Sequence, residues 1–507
     1  MTQKTYLTIL KTGIYLSFIS VFLIFSRLYF PYITSKQIYF NILIEILLIF
    51  WIPFVIKYPN FSPKKSFISL GLIAFFIAIT ISSFFSVDFN LSFWGDSERM
   101  LGVFHLFHFL FFYFIIVSVL REWKDWRIVF ITSISVAVAV SILPYIKIDI
   151  TQSTSRFMVW LSRYCGKNSS SIGNTAYVSG YMIFNIFFAL ILFFKEIKLN
   201  KRKAWLVGNF SFISIFIMSL IFRLTHTRGA YIGIAVSFLV MMALFVLFIK
   251  SKKVKVTCLS LALIFIIFIG FVMKNPESNL VKSSSILNTI AQISPNVVTF
   301  QTRLISWKAA WKDLPNHLLL GTGYGNFAIT FDKYFEPTFY DYTRSETYFD
   351  RAHNNIVDIA STTGILGIGT YFSIFFAVLY YLIFALRKKK INNNEFIVII
   401  GLLIAYFIQN LVVFDSLVTY ISLMIFLAYV NYLGNKDEEE KNKNNDKDLS
   451  NSEILSFLGV GVIIFIILFQ FNLKPYNTFK GAIIGSVAYA QNDFLKGYEE
   501  YKKVLDK

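Results

Sequence analysis

Apolar runs recur along most of this chain, each about long enough to cross a hydrocarbon core of roughly 30 Å at 1.5 Å per residue. They fall at 13–30, 39–56, 67–85, 104–120, 127–143, 176–194, 205–221, 231–249 and 256–273. A long polar connection follows, and further runs at 365–386, 396–413, 417–433 and 454–471 complete the pattern. The pattern predicts an all-α polytopic membrane bundle: about 12 core transmembrane helices and one extra, with a long loop, 274–363, between helices 9 and 10. No small-residue cleavage site follows the first run, so it reads as a retained helix.

Residues 434–453 are Lys, Glu, Asp and Asn without apolar periodicity, which reads as a charged cytoplasmic linker. It divides the domain at 1–433 from the extra helix at 454–472. The last stretch, 473–507, is amphipathic with small residues at helix-packing positions and resembles a single tetratricopeptide repeat, with Gly497 where alanine is usual. One such repeat cannot bury its own face. A protein partner for this tail is therefore an expectation.

Composition agrees with the helix pattern. The 507 residues are 56% hydrophobic, 19% aromatic and only 15% charged, and the mean hydropathy is +0.62. Too few polar residues remain to surround soluble cores of this size. A net charge of +19 would suggest nucleic acid in a soluble protein. Here the cations cluster between apolar runs, so no nucleic-acid partner is expected and the clusters read as topology signals. Lys57, Lys64 and Lys65, then Arg121, Lys124 and Arg127, then Lys195 to Lys203, Lys250 to Lys255 and Arg387 to Lys390 all fall on one side, with far fewer on the other. The rich side is expected to be cytoplasmic, with the N-terminus inside and the long loop outside. The two cysteines, Cys165 and Cys258, do not suggest a structural disulfide.

Candidate chemistry gathers between Gln301 and Tyr371. Leu304, Trp307 and Trp311 share one helical face while Arg303 and Lys308 can point elsewhere; an interfacial helix with its tryptophans at headgroup level has the same pattern. Gly321, Gly323 and Gly325 permit positive φ and close backbone approach, but no Gly-Lys-Ser/Thr follows, so this is not a Walker loop. His353 precedes an apolar helical pattern, where a neutral imidazole able to accept a proton is favoured. Arg228 abuts an apolar run, which suggests either a partner or snorkelling to headgroups. Glu45, inside the second run, reads as a polar helix contact rather than a catalytic acid.

In order, Thr-Arg-Gly-Ala at Arg228, Thr-Arg-Leu-Ile-Ser-Trp at Arg303, Gly-Thr-Gly-Tyr-Gly-Asn-Phe from Gly321 and Ala-His-Asn-Asn-Ile at His353 resemble the O-antigen ligase and polymerase superfamily. Phe93-Trp94-Gly95 with Arg99, and Gly173-Asn174 with Gly180-Tyr181, are similar further marks. The extra helix and repeat-like tail depart from the pattern. The resemblance implies a GT-C-type membrane glycosyltransferase of the bacterial cytoplasmic (inner) membrane, taking a glycan from a polyprenyl-pyrophosphate carrier outside the cytoplasm. It implies His353 as general base, Arg303 and Arg228 on the pyrophosphate, and Arg99, Tyr324, Asn354 and Arg351 as substrate contacts. The acceptor would be a lipid, polymer or protein. No cofactor and no metal are expected, since the only Asp-x-Asp, Asp446 and Asp448, lies in the linker. A repeat-unit polymerase or a protein O-oligosaccharyltransferase would carry the same marks. A lipid or glycan transporter should show polar residues at mid-bilayer in several helices, and Glu45 is the one singled out here.

Overall fold

The computed structural model describes residues 1–146, 165–199, 201–344, 348–434 and 451–505. Among these the chain is all-helical without strands, and 12 helices are long and apolar enough to span a membrane; a shorter apolar helix, Val103–Val119, stands at the position of the remaining predicted run. Most of the predicted linker, 435–450, and most of the connection between the fifth and sixth spans, 147–164, lie outside the described residues. The chain divides into two compact units, one made of 1–66, 93–129 and 424–507, the other of 67–92 and 130–423.

In the first unit, α1 (Gln3–Ser17) begins and ends earlier than the hydropathy suggests, continuing only as a 3-10 turn to Phe22. Its start is set by Thr2, whose side chain accepts from Thr5 N, 3.2 Å. Its end coincides with two serines that bond back into the backbone: Ser17 Oγ donates to Ile14 O and Ser20 Oγ to Ser17 O. The next helix, α2 (Pro31–Lys57), starts eight residues before the predicted 39, because Pro31 stands at its first position with φ preset for helix. This unit continues through α4 (Val103–Val119), which follows α3 (Phe67–Phe84) of the second unit.

A buried polar network runs through the first unit. Glu45 and Asn41 of α2 meet His105 and His108 of α4 and Asn472 from the far end of the chain. His108 Nε2 lies 3.0 Å from Glu45 Oε1, Asn472 Nδ2 donates to the same oxygen at 2.7 Å, and Asn41 Nδ2 reaches Asn472 Oδ1 at 3.2 Å and His105 Nδ1 at 2.9 Å. Gln37 Nε2 extends the chain to Asn41 Oδ1 at 2.8 Å. Glu45 is thus a polar helix contact, but within a wider set of buried polar side chains than the sequence suggested. Asn472 sits in a π-turn, Phe469–Leu473, reached through a C-terminal helix that packs on α2. Leucine at Asn472 is expected to lower stability by about 1–3 kcal/mol, the usual cost of leaving a buried acceptor without its donor. Thermal unfolding in detergent would show this, and an unchanged midpoint would mean the network tolerates the gap.

The second unit contains α5 (Trp123–Ile142) from Phe130 onward, α6 (Thr175–Leu199), α7 (Lys201–Thr225), α8 (Arg228–Phe248) and α9 (Lys252–Lys274). Short helices α10 (Ser285–Ala291), α11 (Val298–Asp313) and α12 (Phe327–Lys333) fill the long connection before α13 (Asn355–Arg387) and α14 (Asn393–Asn410). The last span, α15 (Leu417–Gly434), passes from this unit into the first. Beyond the linker come α16 (Asn451–Leu468), the π-turn, α17 (Lys474–Ala490) and α18 (Phe494–Leu505). The last two helices form a hairpin: Gly485 and Gly497 let Tyr501 and Tyr489 rings approach the backbone, and Ser486 Oγ lies 2.7 Å from Tyr501 Oη.

Candidate functional site

The glycine turn seals a broken helix. In α13 Gly364 adopts φ 62°, interrupting the helical ladder. The amide hydrogens released beyond the break are taken up by Leu318 and Leu319, whose carbonyls accept from Ile365 N at 2.9 Å and Leu366 N at 3.3 Å. Thr322 N and Gly323 N in turn donate to Ser361 O and Thr362 O, 3.1 and 2.9 Å. Ser82 of α3 donates to both Leu320 O and Thr362 O. A Cβ at Gly321 would lie 2.2 Å from the Thr362 carbonyl carbon, and one at Gly364 2.4 Å from that of Leu319. Positive φ and close approach are thus both used, to join backbone to backbone inside the bundle.

This seam leads into a small aromatic core. Ile305 and Ala310 of α11, Phe327 and Phe331 of α12, and Phe339, Phe349, Ala352 and Val357 pack together, with Trp307 against them. The buried stripe of α11 is Thr302, Ile305, Ser306, Ala309, Ala310 and Asp313, small residues that permit close packing. Leu304 and Trp311 lie away from this stripe, with Trp311 58% exposed, and Trp307 stands on the flank between. Trp307 is still an anchor: its indole nitrogen donates to Ala352 O at 2.8 Å. Arg303, one turn earlier on the same flank, is half-buried.

His353 occupies φ 49°, a conformation that few non-glycine residues adopt and that its neighbours hold in place. Ala352 N donates to Asp358 Oδ1 at 3.1 Å, and the Asn354 side chain caps α13 by accepting from Ile356 N and Val357 N, 3.0 and 3.3 Å. The imidazole lies edge-on to Phe349 and Phe414, with ring centroids 5.1 and 5.3 Å away. Its Nδ1 is 3.1 Å from Arg351 O. A carbonyl can only accept, so Nδ1 carries the proton and Nε2 is the basic nitrogen of the neutral ring.

Arg351 and Tyr324 are buried. Arg351 forks onto Asp358, Nε to both carboxylate oxygens at 3.0 and 2.9 Å and Nη2 to Oδ2 at 2.6 Å, with Tyr324 Oη at 3.4 Å and the rings of Tyr324 and Phe414 against the guanidinium. Burial would lower its pKa, but Asp358 and Tyr324 hold it well above the ordinary arginine value. Arg228 opens α8, half-buried, and its Nη2 donates to Gln292 Oε1 at 3.1 Å. Arg99 belongs to the other unit, on a turn where Gly95 at φ 76° packs against the Gly102 backbone; its Nη1 pairs with Glu98 at 3.1 Å.

Sequence reasoning missed the groups that hold this site. Asp358 was visible as an acid in the first turn of an otherwise apolar helix, seven residues after Arg351. Asp415, in the short turn between α14 and α15, accepts from Tyr406 Oη at 2.6 Å, Asn410 Nδ2 at 3.3 Å and Asn355 Nδ2 at 3.4 Å. Burial pushes its carboxyl above the usual range, opposed by Tyr406, Thr419 and Asn410. Phe414, the ring beside His353, lines a cleft with Tyr177, Gly180, Asn410 and Asp415.

These features define a multi-pass helical membrane protein with an arginine- and histidine-bearing domain in one long connection. Within it, residues 213–372 match the O-antigen ligase family model. The match contains Arg228, Arg303, Tyr324, Arg351, His353 and Asn354, and supports at family level a membrane glycosyltransferase of the ligase or polymerase type. No curated protein matches the chain.

Proposed function

We propose that this protein transfers a preassembled glycan from a polyprenyl-pyrophosphate carrier to an acceptor hydroxyl on the extracytoplasmic face of the bacterial cytoplasmic membrane, with inversion and without a metal. The single observation that carries this reading is the His353 geometry: a strained, fixed backbone and a tautomer in which Nε2 is the base. The carrier already activates the glycan, so the protein must deprotonate the acceptor and hold the departing charge. His353 Nε2 takes the hydroxyl proton as the oxygen attacks the anomeric carbon from the face opposite the pyrophosphate. The bond to the pyrophosphate oxygen then breaks with its electron pair, and Arg228 and Arg303 hold the released charge through bidentate contacts. Arg351, through Asp358, keeps His353 in register, while Tyr324 and Asn354 border the glycan.

Donor binding separates the roles. Arg228→Ala or Arg303→Ala is expected to weaken carrier-linked donor by about 10-fold to 150-fold, the range for losing a charge-assisted contact of about 1.5–3 kcal/mol. Arg303→Lys should recover only part of this, since an ammonium keeps the charge and loses the planar fork. Titration of purified protein with lipid-linked donor measures it; normal binding and turnover in both alanine variants would overturn the reading. A second reading, transport coupled to protons, is favoured by one observation, the buried Glu45, His105 and His108 cluster. Glycan movement across vesicles without change of carrier linkage would support it.

A further inference from the structure

The turn that joins α7 to α8 carries a histidine with no part in the chemistry above. His226 is exposed and stands at φ 49°, where Asn, Asp and His are the non-glycine residues most often found. Its Nδ1 lies 3.1 Å from Thr289 Oγ1 and 3.4 Å from Ser285 Oγ, both on α10. The Thr289 hydroxyl donates its own proton to Ser285 O at 2.9 Å, so toward His226 it accepts. Nδ1 is therefore protonated, and Nε2 lies on the opposite edge of the ring. Two residues further on, Arg228 sends Nη2 to Gln292 Oε1. Ser285, Thr289 and Gln292 recur at helical spacing along one flank, so one polar stripe fixes both nitrogen-bearing side chains of the turn. Gln292 takes one of the five guanidinium N–H donors, leaving Arg228 able to hold an anion at the same time.

We propose that His226 is a second ligand of the donor pyrophosphate, bound as an imidazolium with Nδ1–H on Thr289 and Nε2–H on a phosphate oxygen. This deepens the reading in which Arg228 holds the pyrophosphate, and rests on it. The charged groups around His226 set the sign of the linkage. Its own stretch of chain carries Arg223 and Arg228. The α10 stripe facing it presents hydroxyls and no carboxylate, and the acid of the preceding connection, Glu277, is paired with Lys282. A bound pyrophosphate favours a positive charge on the ring. Affinity for the pyrophosphate is accordingly expected to fall as pH rises through the imidazole range.

The full chain in lipid nanodiscs, titrated with polyprenyl pyrophosphate and with polyprenyl monophosphate from about pH 6 to about pH 8.5, tests this across the imidazole range. His226→Asn keeps a residue that tolerates the left-handed backbone but shortens the side chain. His226→Gln places an amide N–H near the position of Nε2 and cannot take up a proton. At the acidic end His226→Asn is expected to bind pyrophosphate about tenfold more weakly, in line with loss of one charge-assisted bond. His226→Gln should lose less affinity but flatten the pH dependence, and Thr289→Val should move in the direction of His226→Asn. The monophosphate should respond less to all three. If both His226 variants bind pyrophosphate with the parental affinity and pH slope while Arg228→Ala weakens it, the assignment of His226 is wrong and the proposed function stands. If Arg228→Ala also binds as the parent does, the pyrophosphate reading itself fails, and this inference with it. Should His226→Asn misfold, the pH slope of His226→Gln alone decides.

Discussion

Replacing His353 with asparagine, which tolerates the left-handed backbone, is expected to cut glycan transfer by about 100-fold to 10,000-fold while donor binding is retained. The loss follows from the tautomer: Nδ1–H is committed to the Arg351 carbonyl, so the ring offers Nε2 as a base at one fixed orientation. A base acts only as the acceptor hydroxyl attacks, so binding of the carrier-linked donor should change little. Alanine at His353 should give the same kinetic loss with some added instability, because alanine resists positive φ. Single-turnover transfer with saturating donor measures the step directly. Parental turnover in His353→Asn would remove the general base from the mechanism and advance the transport reading.

Asp358→Ala should be the most destabilising single change near the site. It strands the buried Arg351 guanidinium and removes the acceptor of Ala352 N; breaking such a pair by deleting one partner costs about 3–5 kcal/mol. The paired replacement Arg351→Met with Asp358→Leu should recover much of that stability, since apolar side chains of similar volume can substitute for a buried ion pair. Transfer should nevertheless stay about 100-fold down, because the segment bearing His353 loses its registration and a misplacement of about 1 Å is enough for such a loss. Thermal unfolding and transfer assays on the single and double variants distinguish the two effects. If the double variant transferred glycan at the parental rate, the pair would serve stability alone.

The spans were legible because length and apolarity alone decide what can cross a bilayer. Their ends were less so: α1 stops at serines that bond back to the chain, and α2 begins at a proline inside what read as a loop. Arg228, Arg303 and His353 stood out through their local motifs. The supporting contacts did not: Trp307 meets Ala352 across 45 positions and Asp415 meets Asn355 across 60, while Asp358, only seven residues from Arg351, belongs to no motif of its own. The network around Glu45 was partly readable. Gln37, Asn41 and Glu45 repeat at every fourth position of α2, and His105 and His108 are three apart on α4, so each helix displays a polar stripe on an apolar background. Their partner Asn472 could not be found that way, since it follows a charged linker and ends the extra apolar run at 454–472.

That partnership has a consequence for the order of biogenesis. The ribosome delivers Glu45 early and Asn472 only after more than four hundred further residues. Throughout that interval Glu45 lacks its Asn472 donor, while the compact unit that will enclose it still awaits the segment beyond the linker. Co-translational insertion of the first helices therefore cannot complete this unit; closure waits for the segment that carries Asn472. Chains halted before Asn472 should be recognised by membrane chaperones or proteases as unfinished, with Glu45 as the exposed mark.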